Sequence, residues 1–307
     1  MQFFIFFQLF FTVFFFCTPL SAEPPRKIPQ DLVGEFTLGG KVPVFYWYRN
    51  DVYPGTEPLI YTSQQINANL AKIEKREQPC LTDTYLFAAL DKYKADIAGK
   101  KIAVIGSITP WYESVVLFYG GCPTTIECNK IVSQDPRVET MTVDEYRQNP
   151  QVFDAILSIS SIAHEGLGRY GDPIDPFGDR KAIDAMKPML KDGGLLFLSV
   201  PVGQDCLTWN AHRIYGRMRL PMLFREWELF DAFGYLPEHM DLECGQYAKH
   251  LPVFVLKAAI PAGLMTPGSV APFGAWSPGA NLCHPIWGSG IFGLAGIAVL
   301  KVNGIYD

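Results

Sequence analysis

The stretch that most constrains the fold is KIAVIG at residues 101–106, a short apolar run that ends in a glycine. A turn and a helical pattern follow it, and a second apolar run, TTIE at 124–127, ends in the carboxylate of Glu127. Strand, glycine turn, helix and strand in this order are typical of the nucleotide-binding half of a doubly wound α/β fold. In such folds the glycine lets the backbone approach a ligand, and an acid about twenty positions later binds a ribose hydroxyl.

The turn after the first strand limits which ligand this half could hold. It reads GSITP at 106–110, with one glycine, whereas a pyrophosphate cradle is built on G-x-G-x-x-G. The turn therefore does not encode a tight pyrophosphate cradle, and an adenosine site without a pyrophosphate stays open. Gly106 and Ser107 are the candidates for contact with the cofactor backbone, and Glu127 is the candidate for its ribose.

Strand-like and helix-like patterns alternate through the rest of the central region. Strands are predicted at 102–106, 124–128, 153–158, 195–200 and 253–256, and helices at 111–119, 143–148, 180–190 and 222–233. Two earlier helices are predicted from a cap at Thr62 or Ser63 to about 77, and from Thr82 or Asp83 to 93. This order predicts an α/β protein with a doubly wound, mostly parallel sheet and an N-terminal helical extension.

The two ends of the chain differ in composition from the middle. Residues 1–22 are rich in phenylalanine and end in Ser21 and Ala22, which predicts a secretory signal peptide cleaved near Ala22. The alternative is an uncleaved membrane anchor with a lumenal body. The expected organisation is therefore a leader at 1–22, an arm with helices at 23–100, an α/β domain at 101–258 and a Gly/Pro-rich, poorly ordered tail at 259–307.

Charge and cysteine content narrow the expected partners. The net charge of −5 makes a nucleic-acid partner unfavourable, so a small molecule or a glycan is expected instead. Six cysteines remain after the leader, and an oxidising compartment favours pairing among them. Cys122 and Cys128 are not expected to pair, because the extended strand between them spans about 20 Å. No cysteine or histidine spacing indicates a metal site.

Two polar loops follow predicted strands at the edge where open α/β sheets bind ligands. The loop at 160–179 and the loop at 201–216 carry more polar side chains than turns require. A histidine beside a carboxylate suits general-base chemistry near neutral pH. The candidate catalytic residues are His164, His212 and Asp172, and the candidate substrate-binding residues are Arg169, Tyr170, Asp175, Asp205, Asn210 and Arg213. The structural alternative is that the aspartates form turns and the arginines hold the loops together.

The chain resembles a nematode domain family of unknown function that is related to class I S-adenosylmethionine-dependent methyltransferases. The resemblance covers residues 61–256 and rests on the first strand at 102–106, on the acid Glu127, on FDAILS at 153–158 and on MLKDGGLL at 189–196. GRYGD at 168–172 and NAHRIYG at 210–216 resemble signatures of the narrower family. The departure lies in the first motif, which lacks the acid and the additional glycines of active enzymes.

The resemblance implies a class I methyltransferase-like fold that binds S-adenosylmethionine through Gly106, Ser107, Glu127 and Ser158. It implies methyl transfer to an oxygen of a small molecule or glycan, with His164 or His212 as the base. Two other functions stay open at this stage. One is a non-catalytic secreted binding protein that keeps the fold, and the other is a nucleotide-sugar enzyme suggested by the polar loops.

Overall fold

The computed structural model describes residues 23–53, 55 and 57–258, so the expected leader and tail lie outside the described residues. Seven α-helices form within this part of the chain: α1 (Val33–Phe36), α2 (Ser63–Glu74), α3 (Leu81–Lys92), α4 (Trp111–Phe118), α5 (Val143–Gln148), α6 (Gly178–Ala185) and α7 (Arg219–Leu223). Twelve strands form in the same residues: β1 (Val44–Tyr46), β2 (Leu59–Tyr61), β3 (Lys101–Ile105), β4 (Cys122–Glu127), β5 (Ile131–Ser133), β6 (Glu139–Thr142), β7 (Phe153–Ile159), β8 (Leu190–Ser199), β9 (Cys206–Trp209), β10 (His212–Ile214), β11 (Trp227–Phe233) and β12 (Val253–Ala258). None of the described helices is long and apolar enough to span a membrane.

Seven strands build the central sheet in the order β11-β12-β8-β7-β3-β4-β6. β3, β4, β6, β7 and β8 run parallel, and β12 runs antiparallel to both of its neighbours. The chain winds outward from β3 in one direction through β4 and β6, and in the other through β7 and β8. This is the expected doubly wound sheet of the class I methyltransferase-like type, with its switch point between β3 and β7.

Apolar side chains cover both faces of the sheet, which explains why its central strands β3 and β7 are mostly hydrophobic. On one face α3 and α4 pack Leu86, Leu90 and Val115 against the sheet residues Leu157 and Phe197. The opposite face belongs to a second apolar cluster that contains residues of α6 and α7. The capping box at the start of α2, in which Thr62 and Gln65 exchange side-chain and backbone hydrogen bonds, agrees with the predicted cap.

One of the predicted helices is wrong, and another ends earlier than predicted. The residues predicted as one helix at 222–233 form the end of α7 and the strand β11, which pairs antiparallel with β12. The helix predicted at 180–190 ends at Ala185 and is followed by a 3₁₀ turn at Lys187–Met189. Pro188 explains the second difference, because proline lacks the amide hydrogen that would continue an α-helix. The KDGG segment at 191–194 accordingly lies within β8 rather than at a helix end.

A small second sheet connects the N-terminal arm to the loop at 201–216. β1 pairs in parallel with β9, and β9 and β10 form an antiparallel hairpin. The Trp47 amide continues this ladder by donating to the Trp209 carbonyl over 2.7 Å. The arm is thereby held beside the polar loops that follow β7 and β8.

Four of the cysteines, Cys80, Cys122, Cys206 and Cys244, carry free thiols. Since Cys122 is free, the expectation that it does not pair with Cys128 is confirmed. Cys80 lies at the start of α3, where its thiol contacts the Asp83 carboxylate at 3.3 Å.

Candidate functional site

The candidate cofactor residues lie together at the carboxyl edge of the central sheet. Gly106 directly follows β3, Glu127 is the last residue of β4, and Ser158 is the penultimate residue of β7. These strands are parallel, with β3 between the other two. The expectation that these residues share the carboxyl edge of one mostly parallel sheet is confirmed, and the edge lies beside the switch point.

The turn after β3 is in direct contact with the turn after β7. Gly106 has φ +73°, and a Cβ built on it would lie 2.1 Å from Oγ of Ser161. Ser160 also has a positive φ, +57°, which is uncommon for a residue with a side chain. Strained backbone of this kind concentrates at functional sites, and here it lies where the two turns meet.

Gly106→Ala should destabilise the fold more than Gly193→Ala, its matched control. Gly193 has a similar φ of +77°, and a Cβ there would meet nothing within 4 Å. The control should therefore lose only the conformational term of about 1 kcal/mol. Gly106→Ala should lose about 2–3 kcal/mol, because the new methyl group also displaces Ser161. Urea unfolding of both variants measures the difference, and equal losses would show that Ser161 does not restrict this turn.

A buried carboxyl group that the sequence analysis did not select stabilises the turn after β3. Glu113 on α4 is fully buried and accepts hydrogen bonds from Ser107 Oγ at 3.1 Å and Thr125 Oγ1 at 2.7 Å. Burial raises its pKa to about 7. The Tyr61 hydroxyl donates a hydrogen bond to the Ser107 carbonyl over 2.8 Å. The side-chain hydroxyl and the carbonyl of Ser107 therefore both have partners within the protein. The sequence signal that could have identified Glu113 is the presence of an acid in the mostly apolar helix WYESVVLF.

Glu127 faces the same edge and is half-buried. Its Oε1 accepts from the amide and the side chain of Asn129, at 3.3 and 3.1 Å, and burial raises its pKa. Ser158 is fully buried and its hydroxyl has no partner among the described residues. Ser199, at the end of the adjacent strand β8, has an unpartnered buried hydroxyl as well.

Arg169 joins the two polar loops and the N-terminal arm. Its side chain is 2% exposed. Its Nε donates to Asp51 Oδ2 of the arm over 2.7 Å, and its Nη1 donates to the Ala211 carbonyl over 3.1 Å. The loops after β7 and β8 therefore meet, as we expect of loops that follow neighbouring parallel strands. The contribution of Asp51 was not predicted, because no local pattern marks a partner more than a hundred residues away.

His164 and His212 both lie beside this arginine. Nδ1 of His164 is 2.6 Å from the Ala211 carbonyl, so we assign the proton of the neutral ring to Nδ1. The two imidazole rings are 6.4 Å apart. Burial, followed by the nearby Arg169 cation, lowers the pKa of His164 to about 3 and that of His212 to about 4. Both rings are therefore neutral at physiological pH.

Aromatic rings surround the two histidines. Trp47 packs edge-on against His212 with a centroid distance of 6.2 Å, and Tyr247 contacts the same indole at 5.1 Å. Tyr170 lies against the His164 ring at 5.7 Å and is 42% exposed. These rings form an apolar wall beside hydrogen-bonding groups, as in many small-molecule sites.

Two buried nitrogen atoms in this cluster have no hydrogen-bond partner in the described residues, Nη2 of Arg169 and Nε2 of His212. A buried polar atom without a partner is costly, so these two nitrogens are candidates for hydrogen bonds to a ligand.

Asn210 holds the arm in place, because its side chain accepts a hydrogen bond from the Arg49 amide at 2.7 Å and donates one to the Arg49 carbonyl at 2.9 Å.

Three of the predicted aspartates are engaged in turns. Asp172 accepts from the amides of Gly168 and Tyr170, at 3.0 and 3.3 Å, and closes the turn between them. Asp175 accepts from the Phe177 amide and forms an ion pair with Lys181.

Asp205 accepts three backbone hydrogen bonds of 2.8–2.9 Å, from Gly216, Met218 and Arg219. Arg213 is fully buried and donates to the carbonyls of Glu165, Asp175 and Pro176. The side chains of Asp172, Asp175, Asp205 and Arg213 thus hold the loops, as the structural alternative described.

The sheet edge that carries the candidate cofactor residues is in contact with the histidine cluster. The His164 amide donates to the carbonyl of Ser161, the residue that contacts Gly106. The charge of Glu127 also raises the pKa of Glu165 and Tyr170, although burial is the larger cause for both. The pKa of Glu165 rises to about 8.

Two cavities are lined by described residues. A shallow depression of about 420 Å³ lies along β5 and β6, and a space of about 10 Å³ lies between α6 and α7. Among residues 23–53, 55 and 57–258, no group of three acidic, histidine or cysteine side chains is arranged to hold a metal ion.

The strand order and the polar carboxyl edge define an α/β protein of the class I methyltransferase-like type. The chain belongs to the family described as Caenorhabditis protein of unknown function, DUF268, which matches residues 99–253. Among curated proteins, none is significantly similar to this chain in sequence.

Several solved methyltransferase structures are similar to the chain at low identity. The Burkholderia thailandensis 1,6-didemethyltoxoflavin-N1-methyltransferase, with S-adenosylhomocysteine bound, is 13% identical over 70% of this chain and all of its own, with a TM-score of 0.40. The N-methyltransferase NodS from Bradyrhizobium japonicum is 17% identical over 63% of this chain and 95% of its own, with a TM-score of 0.39. These similarities are too distant to assign a ligand, and the fold assignment rests on the strand order of the chain itself.

Proposed function

We propose that this protein binds S-adenosylmethionine at the carboxyl edge of its sheet and methylates an oxygen atom of a small molecule or glycan in the secretory pathway. The observation that carries the proposal is the position of Gly106 and Glu127 at the carboxyl ends of the adjacent parallel strands β3 and β4, beside the switch point where doubly wound sheets bind ligands. The continuous polar cluster around Arg169 supports a substrate site next to it.

The residue types at this edge fit the cofactor. The Glu127 carboxylate can accept hydrogen bonds from ribose hydroxyls, and Gly106 has no side chain to block the approach of its backbone. Ser158 offers a buried hydroxyl without a partner. Because Ser161 lies against Gly106, we expect the turn at 160–161 to shift when the cofactor binds.

The protein groups would act mainly by orienting the substrate. S-adenosylmethionine, when bound, supplies an electrophilic methyl group on a sulfonium. His164 and His212 are neutral and can accept a hydrogen bond or a proton from a substrate hydroxyl. Their low pKa values make them weak bases, so alignment by the cluster of Arg169, Asn210 and the aromatic wall would contribute more to the rate.

A second candidate is a non-catalytic binding protein that keeps the fold without the cofactor. It is favoured by the close contact between Gly106 and Ser161 and by the single glycine of the first motif. Under this alternative, the cluster around Arg169 and the two histidines would hold a ligand without any reaction. The nucleotide-sugar enzyme of the sequence analysis is less favoured, since no glycine cradle for a pyrophosphate is present at 106–110.

Isothermal titration calorimetry distinguishes these functions. The proposal predicts saturable heat with S-adenosylmethionine and with S-adenosylhomocysteine, and none with a uridine diphosphate sugar. Binding of the nucleotide sugar alone would favour the third function. No heat with any of these compounds would favour the non-catalytic binding protein.

Glu127→Ala should weaken the binding of S-adenosylhomocysteine by roughly 10- to 150-fold, because a hydrogen bond to a charged group contributes about 1.5–3 kcal/mol. The matched control is Glu228→Ala, which removes an exposed carboxylate on β11, far along the sheet order from β4. Calorimetry should give the control the affinity of the wild type. An unchanged affinity in Glu127→Ala would remove this carboxylate from the site.

A further inference from the structure

Two free thiols lie next to each other beside the candidate substrate site. Cys206 is the first residue of β9 and is fully buried, whereas Cys244 is half-buried in the segment 242–250 that precedes β12. The Cys244 side chain is close enough to Cys206 to raise the pKa of its thiol, although burial is the larger cause. The Cys206 thiol also lies 3.8 Å from the carbonyl of Gly245, the residue after Cys244.

Backbone contacts hold the two segments in this alignment independently of the thiols. The Gln204 amide donates to the Leu242 carbonyl, and the Val202 amide donates to the His250 carbonyl, both over 2.9 Å. On the other side of Cys206, the Thr208 hydroxyl lies 3.4 Å from the Gly245 carbonyl. The contacts flank Cys206 and Cys244 on both sides, so little chain movement is needed to bring the two sulfur atoms to bonding distance.

We propose that Cys206 and Cys244 form a disulfide bond by exchange with a small disulfide such as oxidised glutathione. The Cys244 thiolate attacks one sulfur of glutathione disulfide, and one glutathione thiolate leaves. Cys206 then loses its proton and attacks the Cys244 sulfur, and the second glutathione leaves. Two protein thiols are oxidised to one disulfide, and one glutathione disulfide is reduced to two glutathione molecules.

The order of attack follows from exposure. Cys244 is the more accessible thiol, whereas burial raises the pKa of the Cys206 thiol to about 12 and keeps it protonated until the second step. The other two free thiols offer a contrast. Cys122 is exposed, and the Cys80 thiol contacts the Asp83 carboxylate rather than a second sulfur.

The bond would fix one wall of the candidate site. Tyr247, three residues after Cys244, packs on Trp47, which in turn contacts His212. A covalent link from Cys244 to β9 would therefore hold Tyr247 against the histidine cluster. This inference does not depend on whether the protein transfers a methyl group.

Peptide mapping tests the bond directly on the full chain. The protein is equilibrated with oxidised glutathione, free thiols are alkylated, and trypsin is added without a reductant. Tryptic cleavage places Cys206 alone in the peptide 192–213 and Cys244 alone in the peptide 226–249. The expected product is these two peptides joined, lighter than their sum by two hydrogen atoms. Alkylation of both thiols, or a link from either to a different cysteine, would overturn the proposal.

A stability measurement provides a second, independent readout. The bond closes a loop of roughly forty residues, so oxidation should raise the Tm of the wild type by roughly 5–10 °C relative to Cys244→Ser under the same conditions. Cys122→Ser, which removes an exposed thiol, should retain both the joined peptides and the full rise. A Cys244→Ser variant with the Tm of the oxidised wild type would show that no such bond forms.

Discussion

Replacing Arg213 with alanine should lower the free energy of unfolding by about 3–5 kcal/mol, the range expected when one partner of a buried polar network is removed. Arg213 is fully buried, and its guanidinium joins β10 to three carbonyls of the loop at 165–176. It also lies 3.6 Å from the buried carboxylate of Asp179. Alanine would leave all of these acceptors without the cation. Urea unfolding at neutral pH measures the loss.

Arg217→Ala is the matched control for this experiment. Arg217 makes a bidentate ion pair with Asp241, but both side chains are more than half exposed. Exposed ion pairs contribute little to stability, so the control should lose far less than Arg213→Ala. Equal losses in the two variants would show that Arg213 is not a structural strut, and its predicted role in binding substrate would become the better explanation.

The free energy of unfolding should fall as the pH is lowered from about 6.5 to about 4, the range in which the folded chain keeps His212 neutral. Burial and the Arg169 cation lower the pKa of His212 from 6.5 to about 4 in the folded chain. Between these values the unfolded chain gains a proton that the folded chain does not bind. The contribution of His212 is therefore complete above about pH 6.5 and is lost as the pH falls through 4, which amounts to about 3 kcal/mol.

Comparing the wild type with His212→Gln separates the contribution of His212 from that of the carboxylates, which titrate in the same pH range in both proteins. The stability advantage of the wild type over the variant should shrink by about 2–3 kcal/mol between about pH 7.5 and pH 4.5. His239 lies partly exposed on a surface 3₁₀ turn and its pKa is also lowered, so His239→Gln should show a smaller change of the same sign. A difference that stays constant with pH would mean that His212 becomes protonated in the folded state.

The parallel core of the fold could be predicted because its signals are local. β3, β4 and β7 are short runs that stand close to their predicted positions, and the apolar second half of β8 coincides with the strand predicted at 195–200. β11 could not be predicted in this way. WELFDAF at 227–233 carries apolar residues at spacings that also suit a helix, and only pairing with β12 decides for a strand.

The candidate site was predictable to a similar extent. The positions of Gly106 and Glu127 follow from the order of strands, and the meeting of the two loops follows from the adjacency of β7 and β8. The arm residues Trp47 and Asp51 could not be found from the sequence, because their partners are more than a hundred residues away. Which polar side chains face a ligand and which hold turns also depends on these distant contacts, as Asp205 illustrates.

A crystal structure of the full chain with S-adenosylhomocysteine is the most direct test of the proposed cofactor site. We expect the ribose hydroxyls to donate to the Glu127 carboxylate and the nucleoside to lie next to Gly106, with Ser161 displaced from its contact with that glycine. A nucleoside seated away from Glu127, with Ser161 still against Gly106, would contradict the proposed site.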